Sequence, residues 1–271
     1  MLEKINLLAV GLASWNMKMS VPNDIGDHNQ IISAEHLKSQ QYLNEINKWT
    51  VENKAILNQK KTKVMIVNFN DNYQFSTRLS LNNEYLEVVK SAKILGLVIT
   101  DDLKWEENTA YLVKKAYLRM ELLRRAASFT TNVDDLKKIY ILYIRSILEQ
   151  SCVVWHSSLT AENIEDLERV QKVAFKVILG KKYEDYEDAL DKLNLQTLID
   201  RREYLCLQFA RNTLKNPKVT NMFPLKQQHH HMNLRNSEKY EVQYAKKQRL
   251  IQSAIPSMQR MLNAKSRSMK D

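Results

Sequence analysis

Hydrophobic and polar positions along the chain follow two different periods, and the change falls near Trp105. Upstream, residues 34–56 have helical spacing. Leu37, Gln41, Ile46 and Trp49 fall near one face, Glu45 and Lys48 lie beside it, and Ser33 or Ser39 can start or support the helix. A polar, lysine-rich stretch runs from Asn58 to Lys63. Val64 to Phe69 is then a short β-branched run of strand type, followed by the turn signal Asp71-Asn72. Leu79 to Leu81, Tyr85 to Val89 and Ile94 to Ile99 give three further strands, with Asn82-Asn83 as a tight turn between the first two.

Beyond Trp105 the period becomes helical. Leu112, Ala116, Met120 and Leu123 are spaced by fours and threes, and Leu136, Ile139, Tyr140, Tyr143, Ile144, Ile147 and Leu148 form an amphipathic stripe. Thr131, with Asp134 three residues on, supplies a start for the second of these helices. A third helix spans Ala161 to Leu179, with Gly180 where a positive-φ C-terminal residue belongs. Tyr186 to Leu193 and Leu195 to Leu214 complete a bundle, with Pro217 as the stop, and Glu238 to Ile255 forms one more helix before Pro256. The pattern predicts an α+β fold, mainly α. Residues 1–105 form one helix on a small, mostly antiparallel sheet, 106–215 a helical bundle, and 216–271 a tail that is either a basic arm or a strap over the bundle.

Charge sharpens this division. Residues 1–105 carry 12 basic and 11 acidic side chains, 106–215 carry 18 and 17, and 216–271 carry 11 and 3. Most of the net charge of +10 therefore sits in the last fifth of the chain. Only 4 glycines occur among 271 residues, too far apart for a dinucleotide fingerprint or a phosphate loop. No run approaches the ~20 apolar residues of a membrane span, and the opening Met1-Leu2-Glu3-Lys4 is not the basic start of a signal peptide. The expected setting is intracellular, nucleus or cytoplasm, with no membrane partner and no small-molecule ligand. Cys152 and Cys206, both in apolar helical surroundings, are expected to be buried thiols.

Candidate chemistry is sparse. Asp101-Asp102 follows an apolar strand, as a metal-binding polymerase pair would, but no further carboxylate from another strand joins it, and a turn with helix-entry acids behind it is the better reading. Asp24, Asp27 and His28 lie among turn formers, and His229-His230-His231 cannot all face one ion; solvated loops account for both groups. No metal site is assigned. Lys60, Lys61 and Lys63 before a strand suit either a solvated face or phosphate contact. Lys246, Lys247 and Arg249 are the tail's candidates for phosphate contact.

The order of several phrases adds a resemblance. Leu43-Asn44-Glu45-Ile46-Asn47-Lys48-Trp49, Leu57 to Met65, Ala92-Lys93-Ile94-Leu95-Gly96-Leu97-Val98-Ile99 and Asp102-Leu103-Lys104-Trp105 occur in that order. They are followed by Ile144 to Glu149 with Trp155, Leu167 to Lys172 with Gly180, and Leu195 to Arg202. Together they resemble the region downstream of the catalytic strand hairpin in reverse transcriptases of non-LTR, jockey-like (LINE-type) retrotransposons.

The resemblance implies a palm remnant over 1–105, a thumb-like bundle over 106–215 and a basic tail. It implies a primer-grip-like hairpin at Lys93, Ile94, Leu95 and Gly96, and Lys61 or Lys63 near the incoming triphosphate as nucleotide contact or proton donor. RNA template and DNA primer are the implied partners. The family's catalytic aspartates would lie before the Leu43 helix, so none is assigned here. The chain alone is expected to be inactive, to hold no cofactor (Mg2+ belonging to the intact polymerase), and to leave Lys61 and Lys63 exposed. Two alternatives stand beside this: a non-catalytic nucleic-acid-binding module, and an inert remnant.

Overall fold

A computed structural model describes residues 28–67, 78–225, 240–242 and 248–268. The chain divides into two compact units, Met1–Lys104 and Trp105–Asp271.

In the first unit, α1 (His28–Glu52) takes in both Ser33 and Ser39, so neither starts it. Leu43 and Thr50 are buried and Ile46 packs beside them, whereas Gln41 is exposed and Trp49 is 54% exposed. The expected face is therefore rotated. Tyr42 and Trp49 give this helix apolar residues on a second side, which blurs its period.

Six short strands follow: β1 (Lys63–Val64), β2 (Ser80–Leu81), β3 (Glu84–Tyr85), β4 (Glu87–Val88), β5 (Ser91–Ile94) and β6 (Leu97–Thr100). They form three separate pairs, not one sheet. β2–β3 and β5–β6 are antiparallel, in keeping with a mostly antiparallel arrangement, and β1–β4 is parallel. Asn82 and Asn83, at φ 51° and 65°, make the expected tight turn. The Ile94–Ile99 run is a hairpin, not one strand, because Leu95 (φ 50°) and Gly96 (φ 87°) reverse the chain between β5 and β6. Leu43, Leu57, Val64, Leu79, Leu81 and Leu86 form the core of this unit.

The second unit is helical: α2 (Glu106–Phe129), α3 (Val133–Ile139), α4 (Ser146–Leu148), α5 (Cys152–Trp155), α6 (Ala161–Leu179), α7 (Tyr186–Leu193), α8 (Leu198–Leu214), α9 (Gln248–Ile251) and α10 (Ala254–Ser268). Leu112, Ala116, Met120 and Leu123 are all buried where α2 packs on α6. Asn132, not Thr131, caps α3 by accepting from the Asp134 N–H at 3.0 Å. A π-helical stretch, Tyr140–Arg145, joins α3 to α4. Its wider turn explains why Leu136, Tyr140, Ile144 and Leu148, spaced by four, are buried while Tyr143 is exposed.

Thr160 and Asp185 cap α6 and α7 through their side chains. Gly180 (φ 54°) and Asn194 (φ 48°) close them. α8 starts at Leu198 behind its cap Thr197, three residues later than expected.

The tail differs most from expectation. Pro256 lies in the first turn of α10, where a missing N–H costs nothing, so it opens a helix where a stop was expected. Met258 and Leu262 of α10, with Phe223 and Tyr240, share a core with Cys206, Leu207 and Ala210 of α8. Tyr240 is clamped further: Asn263 Oδ1 accepts its N–H at 2.9 Å and Asn263 Nδ2 donates to its carbonyl at 3.0 Å. The described part of the tail is a strap, not a free arm.

Candidate nucleic-acid interface

The Lys-Thr-Lys segment begins in a 3-10 turn, Gln59–Lys61, capped by Asn58, whose Oδ1 accepts from the Lys61 N–H at 3.1 Å. Thr62 is buried and its hydroxyl donates to the Asn58 carbonyl at 2.9 Å. Lys61 consequently projects from the turn and is exposed. Lys63 does not meet its expectation of exposure: it is half-buried in β1 and ion-paired to Glu87, its register partner on β4. Gln59 Nε2 donates to Glu84 at 2.6 Å beside it. Gln59, Lys60, Lys63, Glu84, Tyr85 and Glu87 line an open depression of about 330 Å³. Its two lysines face two glutamates, so its charge is balanced.

The β5–β6 hairpin carries the other expected residues of this unit. Lys93 is exposed and pairs with Val98 in register, Ile94 is half-buried, and Leu95 is 72% exposed at the apex. A leucine at positive φ with its side chain in solvent gains no burial for its strain of roughly 1 kcal/mol.

Asp101-Asp102 forms a turn. Asp102 Oδ1 accepts from the Thr100 hydroxyl at 2.7 Å and the Lys104 N–H at 3.0 Å, and Lys104 Nζ lies 3.4 Å from Oδ2. Partial burial opposes ionisation, but these donors and the ammonium outweigh it and hold the carboxyl below its ordinary range. The Asp101 N–H donates to the Lys90 carbonyl at 2.8 Å. Glu106 and Glu107 occupy the first turn of α2, where the helix dipole favours acids. Among the described residues, no group of three or more His, Cys, Asp or Glu side chains converges as a metal set.

On α2, Lys114, Leu118, Leu122 and Arg125 recur at helical spacing on the side opposite the buried stripe, and all are exposed. Arg119 is also exposed. Glu121 pairs with Arg124 (3.8 Å) and Arg125 (3.4 Å), while Lys114 and Arg119 form no ion pair among the described residues. This basic ridge with leucines along it has no counterpart in the sequence expectations, although the spacing of its residues made it visible. Of the tail candidates, Arg249 is exposed on α9, and Lys246 and Lys247 lie outside the described residues, as do Asp24, Asp27 and the three tail histidines.

Sequence reasoning also missed a buried polar cluster. Arg202 of α8 is wholly buried, with its guanidinium 5.7 Å from the Trp155 ring and its Nε donating to His156 Nδ1 at 3.2 Å. Burial, then the adjacent Arg202 charge, pushes His156 down to about 4. Glu168 accepts from the Tyr186 hydroxyl and from the Leu198 N–H (3.0 Å). Gln171 accepts from the Tyr140 hydroxyl and donates to the Tyr186 hydroxyl (2.7 Å) and the Gln196 carbonyl (3.0 Å). Nearer the surface, Glu149 accepts from Arg145 and Arg201, each at 3.1 Å, which ties the end of the π stretch to α8.

Among the described residues no helix is long and apolar enough to cross a membrane. Comparison with family models, curated proteins and solved structures yields no significant match.

Proposed function

We propose that this chain is the downstream part of an RNA-directed DNA polymerase of non-LTR retrotransposon type, and that its role is to hold primer and template. The observation that carries the proposal is the collinear order of the phrases from Leu43 to Arg202. Three further features support it. The hairpin presents an exposed lysine on β5 and an exposed leucine at its apex, and α2 presents a basic ridge to solvent. The tail adds 11 basic against 3 acidic residues. A second reading, a nucleic-acid-binding module without catalysis, draws on the Asp101-Asp102 pair being committed to a turn.

Both readings require binding to phosphates, so binding is the first test. Affinity of the full chain for a labelled RNA–DNA primer–template is measured by fluorescence anisotropy at 50 and 200 mM salt. Three neutralised phosphates predict a loss of about 40-fold across that range, from a slope of ~0.9 per phosphate. Substituting Lys246→Glu, Lys247→Glu and Arg249→Glu together should weaken binding more than Lys114→Glu with Arg119→Glu. Preference for a primer–template junction over a blunt duplex separates the polymerase reading from the simple binding module. Salt-insensitive binding, or affinity unchanged by both sets, overturns the two readings together. Point substitutions are used and the tail is kept, because its strap supplies part of the core.

A further inference from the structure

Cys152 and Cys206 lie 54 positions apart, on α5 and α8, which pack directly against each other. Both are reduced and buried. Cys206 Sγ lies 3.9 Å from the Cys152 carbonyl oxygen, which places the two side chains next to each other. Cys152 opens a four-residue helix, behind Ser151 at φ 54°. Ser151 and Val154, on either side of it in the chain, are exposed.

We propose that Cys152 and Cys206 form a redox site, at which a small hydroperoxide-class oxidant closes a disulfide that staples α5 to α8. The two sulfurs have distinct parts. Cys152, at the start of a four-residue helix and flanked by exposed Ser151 and Val154, is the attacking sulfur, and Cys206, in the buried row of α8, the resolving one. The electrostatics run in the same sense: the neighbouring Cys206 thiol and the Arg202 charge lower Cys152 against its burial, while the Cys152 thiol and burial raise Cys206.

In the first step Cys152 sulfur attacks the peroxide O–O bond. One oxygen stays on sulfur as sulfenic acid, and the other leaves with the thiol proton as water. In the second step Cys206 sulfur attacks Cys152 sulfur, the S–O bond breaks, and the oxygen leaves as a second water with the Cys206 proton. The two thiols lose two electrons and two hydrogens, and hydrogen peroxide is reduced to water.

The full native chain is incubated with near-stoichiometric hydrogen peroxide, quenched with N-ethylmaleimide and examined by intact mass and peptide mapping. The expected product is a single chain lighter by two hydrogens, with the Cys152 and Cys206 peptides linked, and reversible by dithiothreitol. Amide exchange in α8 should slow in the oxidised form. With Cys206→Ser, dimedone should trap sulfenic acid at Cys152; with Cys152→Ser, none should be trapped at Cys206. Should either serine variant fail to fold, the wild-type mass and peptide map decide alone. An unchanged mass at peroxide levels that oxidise an exposed model thiol overturns the proposal, and so does linkage only between chains.

Discussion

Substituting His156 tests the buried cluster through its pH dependence. His156 is buried and neutral, with Nδ1 accepting from Arg202 Nε at 3.2 Å. Protonation would remove that acceptor and place a second cation against the guanidinium. Burial first and Arg202 second depress its folded pKa to about 4 from an ordinary 6.5. The neutral form is the one favoured by folding, so its contribution is intact above 6.5 and lost as pH falls from 6.5 toward 4. With those two values the loss between pH 7.5 and pH 5 is about 2 kcal/mol. In a unit of this size that corresponds to roughly 4–8 °C in Tm. The assay is thermal unfolding by circular dichroism at half-unit steps from pH 7.5 to 5, comparing wild type with His156→Asn and His156→Gln. Either amide can offer an acceptor to Arg202 and cannot titrate, so the variants should lose less stability over that range, whatever their stability at pH 7.5. Parallel pH profiles for wild type and both variants would refute the reasoning.

Glu168→Ala should destabilise the second unit by about 3 kcal/mol, because it removes a carboxylate whose charge favours the buried Arg202 cation and leaves the Leu198 N–H without its acceptor. Chemical denaturation measures this directly. Leu95→Asn should stabilise the hairpin by roughly 1 kcal/mol, since asparagine tolerates positive φ and the leucine is largely exposed; protection of the β5–β6 amides in hydrogen exchange reads it out. Lys61→Ala should change thermal stability by less than ~0.5 kcal/mol, as its turn is held by backbone and Asn58 contacts; a drop in Tm of many degrees would assign it a structural role.

Legibility in the sequence tracked how much of each element's position is decided locally. The bounds of α6 and α7 matched because caps and closing residues, Thr160 and Gly180, Asp185 and Asn194, mark both ends. The Asn82-Asn83 turn was legible for the same reason. The α1 face was not, since Tyr42, Leu43, Trp49 and Thr50 leave two sides open and tertiary packing selects one. Pro256 reads as a stop from sequence alone, because its position relative to a helix start is invisible until the start is known. The π stretch arises from packing of Tyr140 and Ile144 into the core and has no local marker. Arg202 was overlooked because charge implies surface by default. Yet it lies four residues from both Leu198 and Cys206, in the buried row of α8, and that spacing was there to be used.

The buried cluster also bears on which parts of the sequence can speak to function. The second-unit phrases behind the resemblance include Arg145, Glu149, Trp155, Glu168, Gln171, Arg201 and Arg202. Arg145, Glu149 and Arg201 form one ion-paired group; Trp155 and Arg202 stack in the core; Glu168 and Gln171 fasten α6 to α7 and to the start of α8. Such groups are constrained by the cost of leaving a buried charge or amide unsatisfied, whatever the protein does with its surface. Those phrases therefore bear on how the bundle is built, and a nucleic-acid-holding role must be judged on side chains that phosphates can reach. Lys93 at the hairpin, Lys114 and Arg119 on α2, and the basic residues of the tail meet that condition by exposure or by charge. They, and not the quoted bundle phrases, are where substitution separates binding from folding.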